Sequence, residues 1–294
     1  MIEFPRLPTR EVPLWNGDAF IVGGRTERVI SYSSNLEGWD DDLTSLHEAE
    51  AGDGTHPIDA MSRATAVEAL RRCNLPKGAA VLEIGCSSGF LLRDLKRNFP
   101  DFDIVGSDVI RGALLRLSTQ LPGVPLVQMD VLQCPLEAAQ FDAIVAINVL
   151  EHIEDDAAAL AQIGRLLKPG GALVVEVPQG PRLFDYFDAY LRHYRRYGKA
   201  ELRRKLHAAS LRVERLGSLG FVPYAAFFGV KKLNRLRFGA RGERAADVEA
   251  LVRQQVGRTS RSRVLDWLLQ VERRLPFLAG WLPGIRCTAV ARKS

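Results

Sequence analysis

The residues best suited to chemistry lie in one stretch, Ala79 to Gly89, which reads A-A-V-L-E-I-G-C-S-S-G. Val81, Leu82 and Ile84 favour a strand, Gly85 to Gly89 a turn, and Phe90 to Asn98 a helix. A strand, a glycine turn and a helix N-terminus let a ligand approach the backbone closely. Gly85 and Gly89 supply the left-handed freedom such a turn needs. The same five residues also spell G-x-S-x-G, the nucleophile elbow of serine hydrolases. Ser87 would then attack, with His193 or His207 as its base, but Asp108 and Asp130 would have no role. A nucleotide-cofactor site gives them one. Asp108 follows Gly89 by 19 residues (108 − 89) and ends a second strand, where an acid accepts both ribose hydroxyls. An NAD turn needs G-x-G-x-x-G, and here Ser87 stands at the second glycine position. Glu83 at the mouth would repel a pyrophosphate and suits a cationic ligand. A small cofactor with a ribose, an amine and no phosphate fits this set best.

The elements that must position these residues alternate regularly. After the first strand and helix, the pattern predicts strands at Asp103–Asp108, Val124–Met129, Phe141–Ile147 and Ala172–Val177. Helices are expected at Gly112–Gln120 and Asp155–Leu167, the latter ended by Lys168-Pro169-Gly170-Gly171. A helix over Lys199–Ala209 leads to a sixth strand, Leu211–Leu216, and Ile285–Ala291 forms the last. Strands separated by single helices imply an α/β fold with a parallel sheet and helices on both faces. Ligands then sit at the carboxyl ends of the strands, where Glu83, Asp108, Asp130 and Asn148 converge. About 65 residues between the last two strands are too many for a loop and form a helical insertion beside or over the site. Its segment Val264–Leu275 is amphipathic, with Val264, Leu265, Trp267, Leu268, Val271 and Leu275 on the apolar face. Ahead of the core, Val29–Ser33 suits a strand, Trp39–His47 a helix beginning at Asp40 to Asp42, and Ala60–Cys73 a helix. His47 and His56 read as surface or capping residues. The expected division is a cap segment (1–59), a core (60–217), a basic lid-like insertion (218–284) and the last core strand (285–294).

Net charge is +5, unevenly spread. Residues 1–60 carry twelve acids against four bases, and residues 231–274 carry twelve bases against five acids. The basic segment suits an anionic partner or a solvated face. Four scattered cysteines give no zinc or disulfide pattern and fit a reducing compartment. Without a signal-like start or a membrane-length apolar run, the sequence predicts a soluble, cytoplasmic protein.

The motifs V-L-E-I-G-C-S-S-G, the Ser107-Asp108 pair, Met129-Asp130-Val131, F-D-A-I-V-A-I-N-V-L-E-H-I and L-K-P-G-G resemble those of class I S-adenosylmethionine (SAM)-dependent methyltransferases, of the type 11, UbiE/UbiG-like kind. The resemblance spans residues 60–217 plus the last strand. It implies a Rossmann-like, seven-stranded sheet whose last strand runs antiparallel, with the helical insertion between the last two strands. It implies SAM as cofactor, with Glu83, Gly85, Cys86, Ser87 and Gly89 at the methionine end. Asp108, followed by Val109, would hold the ribose, and Met129, Asp130 and Val131 would flank the adenine. Asn148, Leu150 and Glu151 would lie beneath the sulfonium. Ser87 replaces the middle glycine common in that loop. Arg63 would pair with the methionine carboxylate or sit on the surface.

The acceptor side is then expected after the fifth strand, in Leu191-Arg192-His193-Tyr194-Arg195-Arg196-Tyr197. His193 is the first candidate base, with Tyr194, Arg196 and Tyr197 as positioning groups, and His152 is the second. The plain alternative is an aromatic-basic helix packed on the core. No required metal is expected, since Glu151, His152, Asp155 and Asp156 form only a weak pattern. The expected reaction is O-methylation of a carboxylate or hydroxyl on a small molecule, natural product or peptide, anionic by charge. The rival is a lipid-linked or quinone-like acceptor, with Phe221, Tyr224, Phe227 and Phe228 beside Lys231 and Lys232 touching a membrane surface. A non-catalytic SAM-fold binding protein is a further alternative, and nucleic acid is disfavoured. Oligomeric state is left open.

Overall fold

The computed structural model of the protein describes residues 2–34, 54–239, 247–260 and 262–294. The helix expected over Trp39–His47, including Asp40 to Asp42, lies outside them. Four short N-terminal strands come first: β1 (Leu14–Trp15), β2 (Phe20–Val22), β3 (Arg25–Glu27) and β4 (Val29–Ser31). Helix α1 (Pro57–Arg71) leads to β5 (Ala80–Ile84), α2 (Phe90–Asn98), β6 (Asp103–Asp108), α3 (Arg111–Gln120) and β7 (Leu126–Gln128). Next come β8 (Phe141–Ile147), α4 (Asp156–Leu166), β9 (Leu167–Pro178), α5 (Tyr186–Tyr190), α6 (Lys199–Ala208) and β10 (Leu211–Leu219). The insertion forms α7 (Tyr224–Phe238), α8 (Val248–Ser260) and α9 (Arg263–Arg273) before β11 (Arg286–Lys293).

The main sheet has the order β10-β11-β9-β8-β5-β6-β7-β4. β11 runs antiparallel to both β9 and β10, and the pairs from β9 through β4 are parallel. All five residues of β5 are buried. Apolar side chains pack both faces, with Leu70, Leu92 and Leu117 on one and Leu160, Leu202 and Leu206 on the other. This is why the central strands read as continuous apolar runs rather than alternating ones.

The sheet has eight strands where seven are expected. The extra strand is β4, whose Val29 and Ile30 are buried as it pairs with Leu126 and Val127 of β7. The sequence marks this run as a strand, but only the fold gives it an edge to dock on. β9 also starts earlier than expected: Leu167 pairs with Phe141, and a register shift then absorbs the Lys168–Gly171 breaker inside the strand. On α9 the expected apolar face is partly wrong. Leu269, absent from that face, is buried, whereas Val264 and Trp267 are exposed. The inward face also carries Glu272, which accepts the Gly220 and Val222 amides at 2.7 and 2.9 Å. A carboxylate taking two loop amides is stable where the periodicity alone would place a hydrophobe.

Candidate functional site

After β5 the chain moves outward to β6 and β7, then returns across β5 to β8. The strand order therefore reverses between β5 and β8, and in open α/β sheets ligands bind at such a point. A cavity of about 420 Å³ lies there, lined by Glu83, Gly85, Ser87 and Gly89 from the β5 side and by Asn148, Glu151 and His152 from the β8 side. A larger cavity of about 530 Å³ lies between α1 and β9–β11. It carries titratable groups such as Glu176 and Glu272 but lies away from the glycine turn and the strand-order reversal, so the smaller cavity is the site.

The turn is held to the end of β6. Gly85 and Cys86 donate their amides to Ser107 O at 2.8 and 3.0 Å, and Ser87 donates its amide to Asp108 Oδ2 at 2.9 Å. Gly85, Ser87 and Gly89 have φ values of 74°, 41° and 71°, a region costly for residues with a Cβ. A Cβ on Gly85 would stand 2.6 Å from Val149 Cγ2, so glycine is what lets the β8 loop close against the turn. Ser87 takes the left-handed conformation as a non-glycine residue, its amide anchored by Asp108.

Glu83 is 4% exposed, and its Oε2 has no hydrogen-bond partner. Burial, reinforced by the charges of Asp108 and Asp94, raises its carboxyl well above the ordinary range. Below the ordinary value of 4.5 both folded and unfolded chains hold this proton. At higher pH only the unfolded chain releases it, so stability falls until the folded value is passed. Glu83→Gln is therefore expected to stabilise the ligand-free protein relative to wild type by about 1–3 kcal/mol above that range. Urea denaturation across pH tests this, and a difference independent of pH would contradict it. Glu151 is likewise buried, with an unpartnered Oε2, and burial pushes its carboxyl up to about 8.

The acceptor-side stretch Leu191–Tyr197 is an extended loop after α5 rather than a helix, held by backbone bonds at two places. Tyr194 donates its amide to Glu151 O of the 3-10 turn Leu150–His152 at 2.8 Å, and Tyr197 donates to Pro178 O at the end of β9 at 2.8 Å. This brings the His193 ring edge-on to His152, with centroids 4.6 Å apart. His193 Nδ1 lies 3.2 Å from Asp188 Oδ1. Asp188 is fully buried and also accepts from Arg196 (2.7 Å) and Lys231 (2.9 Å). Burial alone would raise the Asp188 carboxyl, but Lys231, Arg196 and His193 hold it well below the usual carboxylate range. Burial lowers the His193 imidazole from its ordinary value, outweighing Asp188.

The structure thus gathers Arg63, Glu83, Gly85, Cys86, Ser87, Gly89, Asn148, Glu151, His152, His193 and Arg196 around one cavity. Among the described residues, its lining does not include Asp108, Val109, Met129, Asp130, Val131, Leu150, Tyr194 or Tyr197. Asp108 acts on the turn, and Asp130 Oδ1 accepts the Leu132 amide. Tyr197 is corrected as a positioning group: it is fully buried, and its hydroxyl donates to Asp156 Oδ2 at 2.7 Å and to Leu150 O at 3.1 Å. Tyr194 is exposed on the surface. Arg63 reaches the cavity already paired with Asp94 at 2.9 Å.

Sequence reasoning misses Asp188, Arg286 and the inward turn of Lys231. Asp185-x-x-Asp188 closes a capping box at the start of α5, a signal that could mark both acids. Lys231 reads as part of the basic insertion, yet it is buried and bonds Asp185 at 2.5 Å. Arg286 bridges Asp59 and Glu176. His56 lines the cavity and meets Thr259 Oγ1 at 3.0 Å, so it joins α1 to the insertion. The proposed interfacial aromatics also separate: Phe221 is buried, Phe227 lines the cavity and Phe228 is exposed.

Comparisons with known proteins support a class I SAM-dependent methyltransferase domain, and a reversed parallel sheet, a glycine turn tied to an acid at the next strand's end and an unpartnered buried carboxylate agree with it. Residues 82–175 match the family described as a methyltransferase domain. An uncharacterized methyltransferase of Mycobacterium tuberculosis is 36% identical over 111 residues, 37% of this chain and 55% of that protein. A trans-aconitate 2-methyltransferase of Acidovorax ebreus is 32% identical over 143 residues, 49% of this chain and 51% of that protein. The chain spans about half the length of these curated relatives. Among solved structures, phosphoethanolamine N-methyltransferase 2 of Haemonchus contortus superposes with a TM-score of 0.54 at 18% identity, over 87% of this chain and 58% of that one. The cyclase SpnF gives 0.54 at 20% identity, over 86% and 93%. These likenesses carry the fold. The matched family segment, residues 82–175, contains the G-x-S-x-G turn, which favours a cofactor turn over the hydrolase reading of Ser87. No helix among the described residues is long and apolar enough to cross a membrane.

Proposed function

We propose that the chain transfers the methyl group of SAM to an oxygen of a small-molecule or peptide acceptor, with a hydroxyl favoured. The observation that carries this reading is the Asp188–His193 pair opening on the same cavity as the Gly85–Gly89 turn. Bound SAM supplies an electrophilic methyl on a sulfonium. Within the cavity Glu83 fits its amino group, and Asn148 and Glu151 its sulfonium side. Asp108 for the ribose, Met129, Asp130 and Val131 for the adenine, and Leu150 lie outside that lining and keep these roles by the family resemblance alone. Asp188 fixes the His193 ring through Nδ1, which leaves Nε2 to take the hydroxyl proton. The acceptor's new O–C bond forms as the C–S bond breaks, with that electron pair remaining on sulfur. Insertion residues Phe227, Gln255 and Thr259 line the cavity, where they would hold the acceptor against the turn.

A hydroxyl is favoured over a carboxylate by charge. Among the described residues, the cations lining the cavity, Arg63, Arg196, Lys231 and Arg286, are each paired with an acid. The trans-aconitate relatives favour a carboxylate instead. A lipid-linked acceptor is supported by the exposed Leu236, Trp267, Phe277 and Trp281, which all lie in the basic insertion.

Isotope-labelled SAM is to be incubated with the protein and with aqueous and lipid extract fractions, and labelled products read by mass spectrometry. O-methyl products are expected. Transfer to amines alone overturns the oxygen reading, and absence of SAM binding at millimolar cofactor overturns the enzyme reading. Glu83→Gln, although stabilising to the free protein, is expected to weaken SAM binding by about 1.5–3 kcal/mol, read by calorimetry.

A further inference from the structure

Glu151, His152 and His193 each present a metal-ligating atom, and these atoms all lie within 4.8 Å of one another. We propose that they hold a first-row divalent cation at the acceptor side of the cavity. Neither the methyltransferase domain match nor the relatives' names assign one. Ligands about 2.0–2.2 Å from a shared cation lie about 3–4 Å apart, so only a small closure completes the site.

Three further observations support it. Glu151 is 1% exposed, it lines the cavity, and its Oε2 has no hydrogen-bond partner. A buried carboxylate oxygen left in this way is costly unless a proton or a cation meets it. Next, the bond from His193 Nδ1 to the fully buried Asp188 turns Nε2 outward as a ligand, the carboxylate–histidine arrangement that orients metal-bound imidazoles. Asp188 is itself fixed by Arg196 and Lys231. Finally, the Tyr194 amide bond to Glu151 O clamps the His193 loop onto the turn that carries the other two ligands. Sequence spacing cannot show this, because 41 residues (193 − 152) separate the two histidines.

Two imidazoles and one carboxylate suit a borderline cation such as zinc, cobalt or manganese over magnesium or calcium, and three protein ligands leave a position open. The inference rests on the methyl-transfer reading for the cation's role, not for its binding. In that role the cation faces the acceptor and makes its hydroxyl more acidic. With the cation bound, the proton leaves to water and His193 serves as a ligand; without it, His193 Nε2 takes the proton.

The full chain, stripped with a chelator, is to be titrated with Co²⁺ and followed by visible absorption, with SAM calorimetry on the same samples. One equivalent with a visible d–d band is expected, and Glu151→Gln and His193→Asn are each expected to weaken it at least tenfold while far-UV circular dichroism is retained. Absence of a band in the folded wild type, or wild-type Co²⁺ affinity in either variant, overturns the proposal. SAM binding without Co²⁺ binding sinks the cation alone. Co²⁺ binding without SAM binding supports the site and overturns the methyl-transfer reading beneath it.

Discussion

Replacing Asp188 with alanine is expected to lower the free energy of unfolding by about 3–5 kcal/mol. Asp188 and Asp185 are fully buried and face Lys231 and Arg196, each nearly as buried. Two acids and two bases balance in this cluster, and removing Asp188 leaves a net buried cation and a His193 without its orienting partner. The penalty is desolvation that is no longer compensated, so removing an opposite charge as well should recover part of it. The double variant Asp188→Ala/Lys231→Met is expected to lose less stability than Asp188→Ala alone, measured by urea denaturation at neutral pH. Losses that simply add would mean the four groups do not act as a charge-balanced unit.

His193→Asn is expected to reduce kcat by roughly 10²–10⁴-fold, measured as S-adenosylhomocysteine release with the acceptor found in the labelling screen. The imidazole lies beside Glu151 and His152 and is the group that meets the acceptor's proton or, through a cation, its oxygen. Asparagine keeps a polar side chain of similar reach near Asp188, so the loop should stay in place. SAM affinity is therefore expected to change less than threefold, an effect of under about 1 kcal/mol. An unchanged kcat would remove His193 from the chemistry and leave Asp188 as a purely structural hub.

Much of the core is legible in the amino-acid sequence. The strands at Asp103–Asp108 and Phe141–Ile147 and the helix at Phe90–Asn98 begin and end where the apolar periodicity and the glycine turn place them. Each carries a local signal: Phe141–Ile147 is a near-continuous apolar run, Asp103–Asp108 is bounded by Asp at both ends, and Phe90–Asn98 starts directly after Gly89. The insertion is legible as helices but not in its facing, because α9 buries Leu269 and Glu272 and exposes Val264 and Trp267. Tyr197 shows the same limit on the acceptor side. Its residue type suits a site, and only its bond to Asp156 shows that the hydroxyl is already engaged.

The class of fold and the glycine turn follow from the sequence, since Gly85, Ser87 and Gly89 act over a short span with strong backbone demands. That Asp108, 21 residues on, tethers the turn through the Ser87 amide is shown only by the fold. Which charges are available follows only from the folded chain. Lys231 reads as one of twelve bases in residues 231–274, yet it turns inward and neutralises Asp185 and Asp188. Only the fold brings Glu151, His152 and His193 within ligand distance of one another. The reason is physical: a turn's conformation follows from neighbouring residues, whereas a side chain's charge environment depends on what folding brings to it from distant parts of the chain.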